Sequence, residues 1–255
     1  MDIIISQLPY IGYGVFNMAD IPLEYGVEIF CEYGDDYYWK HQLKGILKDR
    51  TGRLSVHGPF CQINLATEDC AFDEVKETFK RAYDMVNQYN AIHCVLHPHG
   101  PVPYEGFDKK GSYQRILERT LELNAMAKVQ NVELLVENMP YTDQIMDQEG
   151  FLSTFGPEKE LKFLIDTGHA ILNHWDMMEV LKTLGTRIRA YHMHDNFADY
   201  DAHLKLGEGP TDWNKFFKDF KRYTPDARLV LEYASGPIPS INENIKYVKK
   251  LYENA

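Results

Sequence analysis

Eight short apolar runs, separated by longer segments of helical periodicity, constrain the fold of this chain more than any other feature. The runs are rich in Ile, Val and Leu. We interpret them as strands over residues 2–6, 26–32, 53–57, 91–97, 131–137, 161–166, 187–194 and 227–232. Between them, apolar residues recur three or four positions apart, as in 72–86, 213–220 and 241–248. This alternation is typical of parallel strands joined by helices.

Eight strand–helix units in 255 residues predict a closed (β/α)8 TIM barrel, an α/β fold that forms one domain over residues 1–255. A doubly wound open sheet is the alternative. Two segments fit the pattern poorly. Residues 8–25 show little helical periodicity, and residues 138–157 combine loop and helix signals. No linker or low-complexity segment divides the chain.

Composition narrows the class of protein and its partners. The 27 Lys and Arg residues against 38 Asp and Glu give a net charge of −11, which disfavours nucleic acid as a partner. No apolar stretch approaches the roughly 20 residues of a membrane span, and the N-terminus does not resemble a signal peptide. The four cysteines lack C-x-x-C spacing, so we expect reduced thiols and a cytoplasmic protein. The oligomeric state stays open.

Six consecutive predicted strands end in a side chain that can bind a metal or transfer a proton. These residues are His57, His97, Glu137, Asp166, His192 and Glu232. In a (β/α)8 barrel the carboxyl ends of the strands meet at one face, where the chemistry lies. The three carboxylates each follow an apolar run, and such a charge is costly unless it is compensated. We therefore predict a divalent metal at this face.

Three further residues are predicted to reach the same face. His169 follows Asp166 by three positions, so it leaves the same strand end. Asp201 and His203 lie in the loop after the seventh strand, and an extended backbone would present both side chains to one side. Mixed nitrogen and oxygen ligands suit zinc or manganese better than magnesium.

Other histidines are assigned different roles. His97 is favoured over His99 because it ends its strand, and His192 is favoured over the neighbouring His194. The remaining histidines are predicted to have no part in the site: His93 as a satisfied core residue, and His41 and His174 as surface residues.

With these residues assembled, the chain resembles the xylose isomerase-like barrel superfamily. This superfamily comprises sugar and sugar-phosphate isomerases and epimerases together with the type IV apurinic endonucleases. The resemblance covers about residues 26–235. It is carried by "HGPF…INLAT", "LHPHG", "VENMP", "IDTGHA", "HMHDN…DAHLKLGEG" and "VLEYAS". The motifs are specific as a set, whereas each one is weak alone.

The resemblance implies two alternative ligand sets. In the isomerase and epimerase branch one metal is held by residues that match Glu137, Asp166, His192 and Glu232, and the match to His169 contacts substrate. In the endonuclease branch, further ligands that match His57, His97, His169, Asp201 and His203 create a three-zinc cluster. All nine positions carry a suitable residue in this chain, so the ligand set alone does not separate the branches.

Two other features favour the isomerase branch, and one departs from it. The endonucleases use basic loops to bind DNA, whereas the loop "EYGDDYYWK" after the second strand is acidic and aromatic. The "DAHLKLGEGPTDW" loop resembles that of sugar isomerases. Epimerases often carry an Arg after the seventh-strand His, where this chain has Phe197, Ala198 and Asp199.

We therefore expect a metal-dependent isomerase or epimerase of a small sugar or sugar phosphate. Glu137 and Glu232 would remove and return a proton, and the metal would stabilise an enediolate. His57 and His169 are expected to contact substrate. The alternatives are a zinc phosphodiesterase acting on abasic DNA and a non-catalytic sugar-binding barrel.

Overall fold

All eight strands lie in a single closed barrel, in chain order and parallel to one another, in the computed structural model of the protein. The structure describes residues 1–10, 18–234 and 238–255. The first and last strands pair directly, with Ile4 opposite Val230, which closes the sheet. The predicted TIM barrel is therefore confirmed, and the open sheet is excluded. Among the described residues, no helix is long and apolar enough to cross a membrane.

The strands are short and the helices surround them. The strands are β1 (Ile3–Ser6), β2 (Gly26–Phe30), β3 (Leu54–His57), β4 (Cys94–Leu96), β5 (Leu134–Glu137), β6 (Lys162–Asp166), β7 (Ile188–Met193) and β8 (Arg228–Leu231). The helices are α1 (Asp36–Ile46), α2 (Phe72–Gln88), α3 (Tyr113–Val129), α4 (Gln148–Phe155), α5 (Thr167–Leu172), α6 (Met177–Leu184), α7 (Trp213–Tyr223) and α8 (Ile238–Asn254). The three apolar stripes predicted as helices fall in α2, α7 and α8.

The two segments that fitted the helical pattern poorly are irregular. Between β1 and β2, short 3-10 helices occupy Leu8–Tyr10 and Met18–Asp20, and residues 11–17 of this segment lie outside the described residues. Residues 138–157 form a loop followed by α4, as the mixed signals predicted. Strand bounds differ from the predicted ones by up to three residues: β4 and β5 begin three residues later and β2 ends two residues earlier, and His97, His194 and Glu232 fall just after β4, β7 and β8.

The side chains inside the barrel form layers, and these layers determine where the site lies. A small apolar cluster of Val95, Leu135, Leu164 and Ala190, from β4 to β7, fills the middle of the barrel separately from the large core between strands and helices. Alternate residues of a strand point to the same face. The next inward positions are therefore His97, Glu137, Asp166 and His192. The barrel core thus determines which polar residues converge above it.

Arg50 stabilises the irregular first unit. Its guanidinium donates hydrogen bonds to five backbone carbonyls, those of Met18, Ile21, Pro22, Tyr25 and Ile46, at 2.8–3.2 Å. Only the planar guanidinium offers five donors in fixed directions. Arg50 therefore ties the chain before β2 to the end of α1, where the first unit has little helical packing of its own.

Replacing Arg50 tests this account of the first unit. Arg50→Met leaves several carbonyls without donors, so we expect the free energy of unfolding to fall by about 2–4 kcal/mol. Arg50→Lys should recover little of the loss, because an ammonium cannot reach five acceptors. Chemical denaturation measures both. The matched control is Arg53→Met, which removes one exposed ion pair with Asp2 and should change stability by less than about 1 kcal/mol. Equal effects of Arg50→Met and Arg53→Met would contradict the account.

Candidate metal centre

Histidine and carboxylate side chains converge at the carboxyl ends of β3 to β8 in three adjoining groups. We call His57, His97 and Glu137 the first group. The central group consists of Glu137, Asp166 and His192, together with Glu232. The outer group consists of His169, His194, Asp201 and His203. All nine predicted site residues fall in these groups, and Glu137 belongs to two of them.

Glu137 joins the first and central groups through its two oxygens. Its Oε2 lies 3.0 Å from His97 Nε2 and 3.9 Å from His57 Nε2. Its Oε1 lies 3.1 Å from His192 Nδ1. The carboxylate is fully buried, so its charge has no access to water. One carboxylate with an oxygen toward each group is suited to bridging two cations.

In the central group, the three carboxylates lie around one nitrogen of the fourth residue, His192 Nδ1. This atom lies 3.1 Å from Glu137 Oε1, 3.2 Å from Glu232 Oε2 and 3.7 Å from Asp166 Oδ2. One N–H cannot donate well to three carboxylates at once. Ligands about 2.0–2.1 Å from a tetrahedral zinc are separated by about 3.3 Å. The spacings of Glu137 and Glu232 from His192 Nδ1 are close to this value, and that of Asp166 is somewhat longer, so the four residues are suited to holding one ion.

The outer group is formed between α5 and the loop after β7. Asp201 Oδ2 lies 3.0 Å from His203 Nε2 and 3.4 Å from His169 Nε2. The ring of His194 stacks on that of His203, with centroids 3.9 Å apart. The expected extended backbone is wrong here, because His203 has a φ of 46°. The left-handed turn still brings His203 and Asp201 together.

Three histidines direct Nε2 into the site because a backbone carbonyl accepts a hydrogen bond from Nδ1. His57 donates to the carbonyl of Gly58 at 3.0 Å, His169 to that of Asn138 at 2.7 Å, and His203 to that of Glu232 at 3.0 Å. A carbonyl only accepts, so Nδ1 carries the hydrogen. Histidine ligands of metals usually have such a partner, which fixes the tautomer and orients the ring.

Asp195 holds the loop that carries Asp201 and His203. Its buried carboxylate accepts hydrogen bonds from the backbone of Gly207 and Gly209, from Thr211 Oγ1 and from Trp213 Nε1, at 2.6–3.2 Å. Its backbone also pairs with that of Leu204. The carboxylate replaces the regular structure that the loop lacks, so "DAHLKLGEGPTDW" is an ordered wall of the site.

Gly168 makes room for His194. A Cβ at residue 168 would lie 1.8 Å from His194 Cε1, so any side chain would displace the ring. In its position over Gly168, His194 Nε2 lies 2.9 Å from Asp166 Oδ1. Asp166 also accepts from the backbone N–H of His169 at 2.7 Å, at the start of α5. The "IDTGHA" motif therefore positions Asp166, His169 and His194 together.

The carboxylates and imidazoles shift one another's pKa values strongly. Burial opposes the charged form of Glu137, but His192 and His97 outweigh it and hold the pKa well below its usual value. Burial and the neighbouring carboxylates raise the pKa of Glu232, against the opposing effect of His192 and His203. Burial lowers the pKa of His57 to about 3, so this imidazole is neutral, as a metal ligand must be.

Two buried atoms of the outer group make no hydrogen bond to the described part of the chain. They are His194 Nδ1 and Asp201 Oδ1. A buried polar atom without a partner is costly, and such atoms are rare. A metal would use these donors, and the nitrogen and oxygen donor set suits a divalent ion such as zinc. The residues present therefore fit a metal site.

Two residues in or beside the site were not predicted to belong to it. Glu28, in the middle of β2, is fully buried against His192. His194 was set aside in favour of His192, whereas both are buried and both lie close to the Asp166 carboxylate, at 2.9 and 3.7 Å respectively. The available signal for Glu28 was a carboxylate inside the apolar run "GVEIF". Of the histidines assigned elsewhere, His93 is buried and hydrogen-bonded, and His41 and His174 are exposed, as predicted.

The chain belongs to the xylose isomerase-like TIM barrel family, which it matches over residues 19–251. It is 28% identical to an uncharacterized protein of Methanocaldococcus jannaschii over 200 residues, 78% of this chain and 77% of the relative.

Solved structures of similar fold include a sugar epimerase and a zinc-soaked protein. D-Psicose 3-epimerase of Clostridium cellulolyticum, solved with D-tagatose, has a TM-score of 0.79 and 14% identity, covering 99% of each chain. A Thermus thermophilus protein soaked with zinc chloride has a TM-score of 0.74 and 19% identity, covering 100% of this chain and 99% of that one. At these identities the likeness shows the fold alone.

The outer group predicts a pH-dependent stability of the metal-free protein. Burial opposes protonation of His169 and His203, but the surrounding carboxylates raise their pKa values to about 10 and about 9. Both exceed the unfolded value of about 6.5. Their stabilising contribution is therefore fully present below pH 6.5 and is lost as pH rises through 9–10.

Thermal denaturation in chelator, between pH 6.5 and 10, measures this effect. Asp201→Asn removes a shared partner of both histidines. The wild type should be more stable than this variant near pH 6.5, and the difference should shrink toward pH 10. Comparing the two proteins cancels groups that titrate alike in both. Parallel curves over the whole range would contradict the assigned pairing.

Proposed function

We propose that the protein is a metal-dependent isomerase or epimerase of a small sugar. The observation that carries the proposal is the pair of carboxylates, Glu137 and Glu232, that meet at His192 Nδ1, at 3.1 and 3.2 Å. Two carboxyl groups beside one reacting carbon can remove a proton and return one. A non-catalytic sugar-binding barrel would not need this arrangement.

The opposite pKa shifts of the two glutamates support distinct roles. Glu137 is held ionised, so it can accept a proton from the carbon next to a sugar carbonyl. Glu232 has a raised pKa, so it can hold a proton to return. Titratable pairs whose environments separate their pKa values often divide the acid and base roles. Ser6 Oγ, which donates to Glu232 Oε1 at 3.2 Å, orients that carboxyl group.

The central group would hold the metal through Glu137, Asp166, His192 and Glu232. A bound divalent ion would act as a Lewis acid toward the carbonyl and hydroxyl oxygens of the substrate. The structure of the Thermus thermophilus protein soaked with zinc chloride supports testing zinc first, with manganese as the second choice.

An aromatic wall beside the first group supports a small, partly apolar substrate. Phe60 packs against His57 and His97, with ring centroids 5.2 and 5.3 Å apart, and Phe30 stacks on His57 at 4.3 Å. Glu32 accepts from the backbone N–H of Phe60 at 2.9 Å, which fixes the wall. Such a surface can pack against the apolar face of a sugar ring, and His57 and His169 would contact its hydroxyls.

The charges around the site favour an unphosphorylated sugar over a polyanion. The ion pairs of the three groups, among the residues with described positions, join histidines to carboxylates and include neither Lys nor Arg. Phosphate recognition usually relies on Arg or Lys.

All four cysteines are free, which supports the proposed cytoplasmic location.

Substitution of each glutamate tests the proposed chemistry. Glu137→Gln and Glu232→Gln should lower turnover of ketoses such as D-tagatose or D-psicose by about 10²–10⁴-fold, because proton transfer is lost. Deuterium uptake from D2O into the sugar, followed by NMR, measures the proton step. The control is Glu160→Gln on the exposed surface, which should keep full activity. Wild-type exchange in either glutamate variant would refute the role of that residue.

Exhaustive chelation should abolish deuterium exchange, and zinc or manganese should restore it.

A second candidate function is metal-dependent phosphodiester hydrolysis, favoured by the first and outer groups. One metal suffices for the isomerase, whereas these groups add donors for two more. Multinuclear sites stabilise the attacking and leaving oxygens of phosphate esters. The acidic chain, with net charge −11, speaks against DNA as the substrate.

The double variant Asp201→Ala/His203→Ala separates the two functions. It should lower the bound zinc by at least one ion per chain, measured by native mass spectrometry, because the outer group loses two of its donors. Under the isomerase proposal, deuterium exchange into the ketose persists. Loss of hydrolysis of a bis-nitrophenyl phosphate, with no ketose exchange in the wild type, would favour the second function instead.

A further inference from the structure

Glu28 lies directly beneath the central group, inside the barrel. It is the middle residue of β2 and is completely buried, as are its partners Ser55, His93 and His192. An isolated buried carboxylate is strongly unfavourable, so its position requires these partners. The proposed chemistry gives Glu28 no part in proton transfer, which leaves its presence to be explained.

The contact with His192 determines which nitrogen of that ring carries a hydrogen. Glu28 Oε1 lies 2.8 Å from His192 Nε2. The other oxygen, Oε2, lies 2.8 Å from Ser55 Oγ and 3.3 Å from His93 Nε2, and donors around a carboxyl group favour its ionised form. An ionised carboxylate only accepts hydrogen bonds, so Nε2 is the donor. The other nitrogen, Nδ1, then faces Glu137 and Glu232.

A hydrogen-bonded chain holds Glu28 in place from below. Ser55 Oγ donates to Glu28 Oε2 at 2.8 Å. Arg228 Nη1 lies 3.3 Å from His93 Nδ1, and an Arg can only donate, so Nδ1 of His93 is the acceptor. His93 Nε2 therefore carries the hydrogen and donates to Glu28 Oε2, 3.3 Å away. Each member of the chain has a defined direction, so Glu28 cannot turn from His192 without losing partners.

The geometry points to Glu28 as the residue that positions His192 for metal binding. Resting on the proposed function, we propose that Glu28 holds the Nε2–H tautomer and the ring orientation that present the Nδ1 lone pair to the central metal. Carboxylates that accept from the remote nitrogen of a ligating histidine also increase its basicity. Glu28 is thus a positioning residue that acts through His192.

Glu28 is not placed to share an ion with His192 Nδ1. The two nitrogens of an imidazole point to opposite edges of the ring, and Glu28 lies on the Nε2 edge. A metal bound between Glu28, His192 and Glu232, which also lie close together, would require Nε2 to lose its hydrogen. The two arrangements differ in the protonated nitrogen and in the number of bound ions, so experiment distinguishes them.

The test compares Glu28→Gln with Ser112→Ala, a control that removes a hydrogen bond of a buried side chain away from the site, from Ser112 Oγ to the carbonyl of Lys109. Zinc affinity is measured by competition with a chelating dye, and stoichiometry by native mass spectrometry. Glu28→Gln should weaken the central zinc about 10–100-fold at unchanged stoichiometry, with Ser112→Ala close to wild type. Glu28→Asp keeps the charge at a greater distance and should fall between them. It serves as the test if the Gln variant does not fold.

The second readout is the tautomer of His192, read from 15N-histidine NMR spectra of metal-free and zinc-loaded protein. The wild type loaded with zinc should show hydrogen on Nε2, and Glu28→Gln should lower the occupancy of that tautomer. Unchanged affinity and tautomer would overturn the proposal, as would loss of one ion, which would make Glu28 a ligand. A wild-type protein that binds no zinc in these measurements would also overturn the proposal. A wild type that binds zinc but exchanges no ketose proton would refute only the proposed function.

Discussion

The site depends on the contacts of Glu137, because its two oxygens connect two sets of histidines inside the barrel. It contacts His97 on one side and His192 on the other, at 3.0 and 3.1 Å, without access to water. A charge in this position must be balanced by imidazolium or by a metal. In the metal-free protein, protonated histidines can balance it. We propose that divalent ions replace those protons, so metal binding and proton release are coupled.

The barrel supplies the precision that such coupling needs. The interior layer of Val95, Leu135, Leu164 and Ala190 is packed and apolar. The polar side chains that follow it in the same strands therefore lie toward the open end of the barrel. Outside the strands, the Asp195 carboxylate holds the following loop in place by accepting hydrogen bonds from it. Rigid strands thus carry the central group, and a tied loop carries the outer group.

The sequence predicted most of the fold and nine of the ten residues that form the three groups, because strand periodicity and the polar ends of strands are local patterns. "ELLVE" and "KFLID" show both features in a few residues. Glu28 was missed because a single carboxylate within a strand reveals nothing about partners that are distant in the chain. The conformation of His203, at a φ of 46°, was also mispredicted, since a non-glycine residue rarely adopts it. The choice between His192 and His194 needed packing, because Gly168 makes space for the second ring.

Anomalous scattering from crystals grown with zinc tests the central claim most directly, because it locates each ion relative to its ligands. We expect an ion bound by His192 Nδ1 and the carboxylates of Glu137, Asp166 and Glu232. Further ions, where present, should lie at the first and outer groups, with Glu137 bridging the first and central ones. An absence of zinc among these side chains, with His192 still hydrogen-bonded to the carboxylates on both nitrogens, would contradict the account.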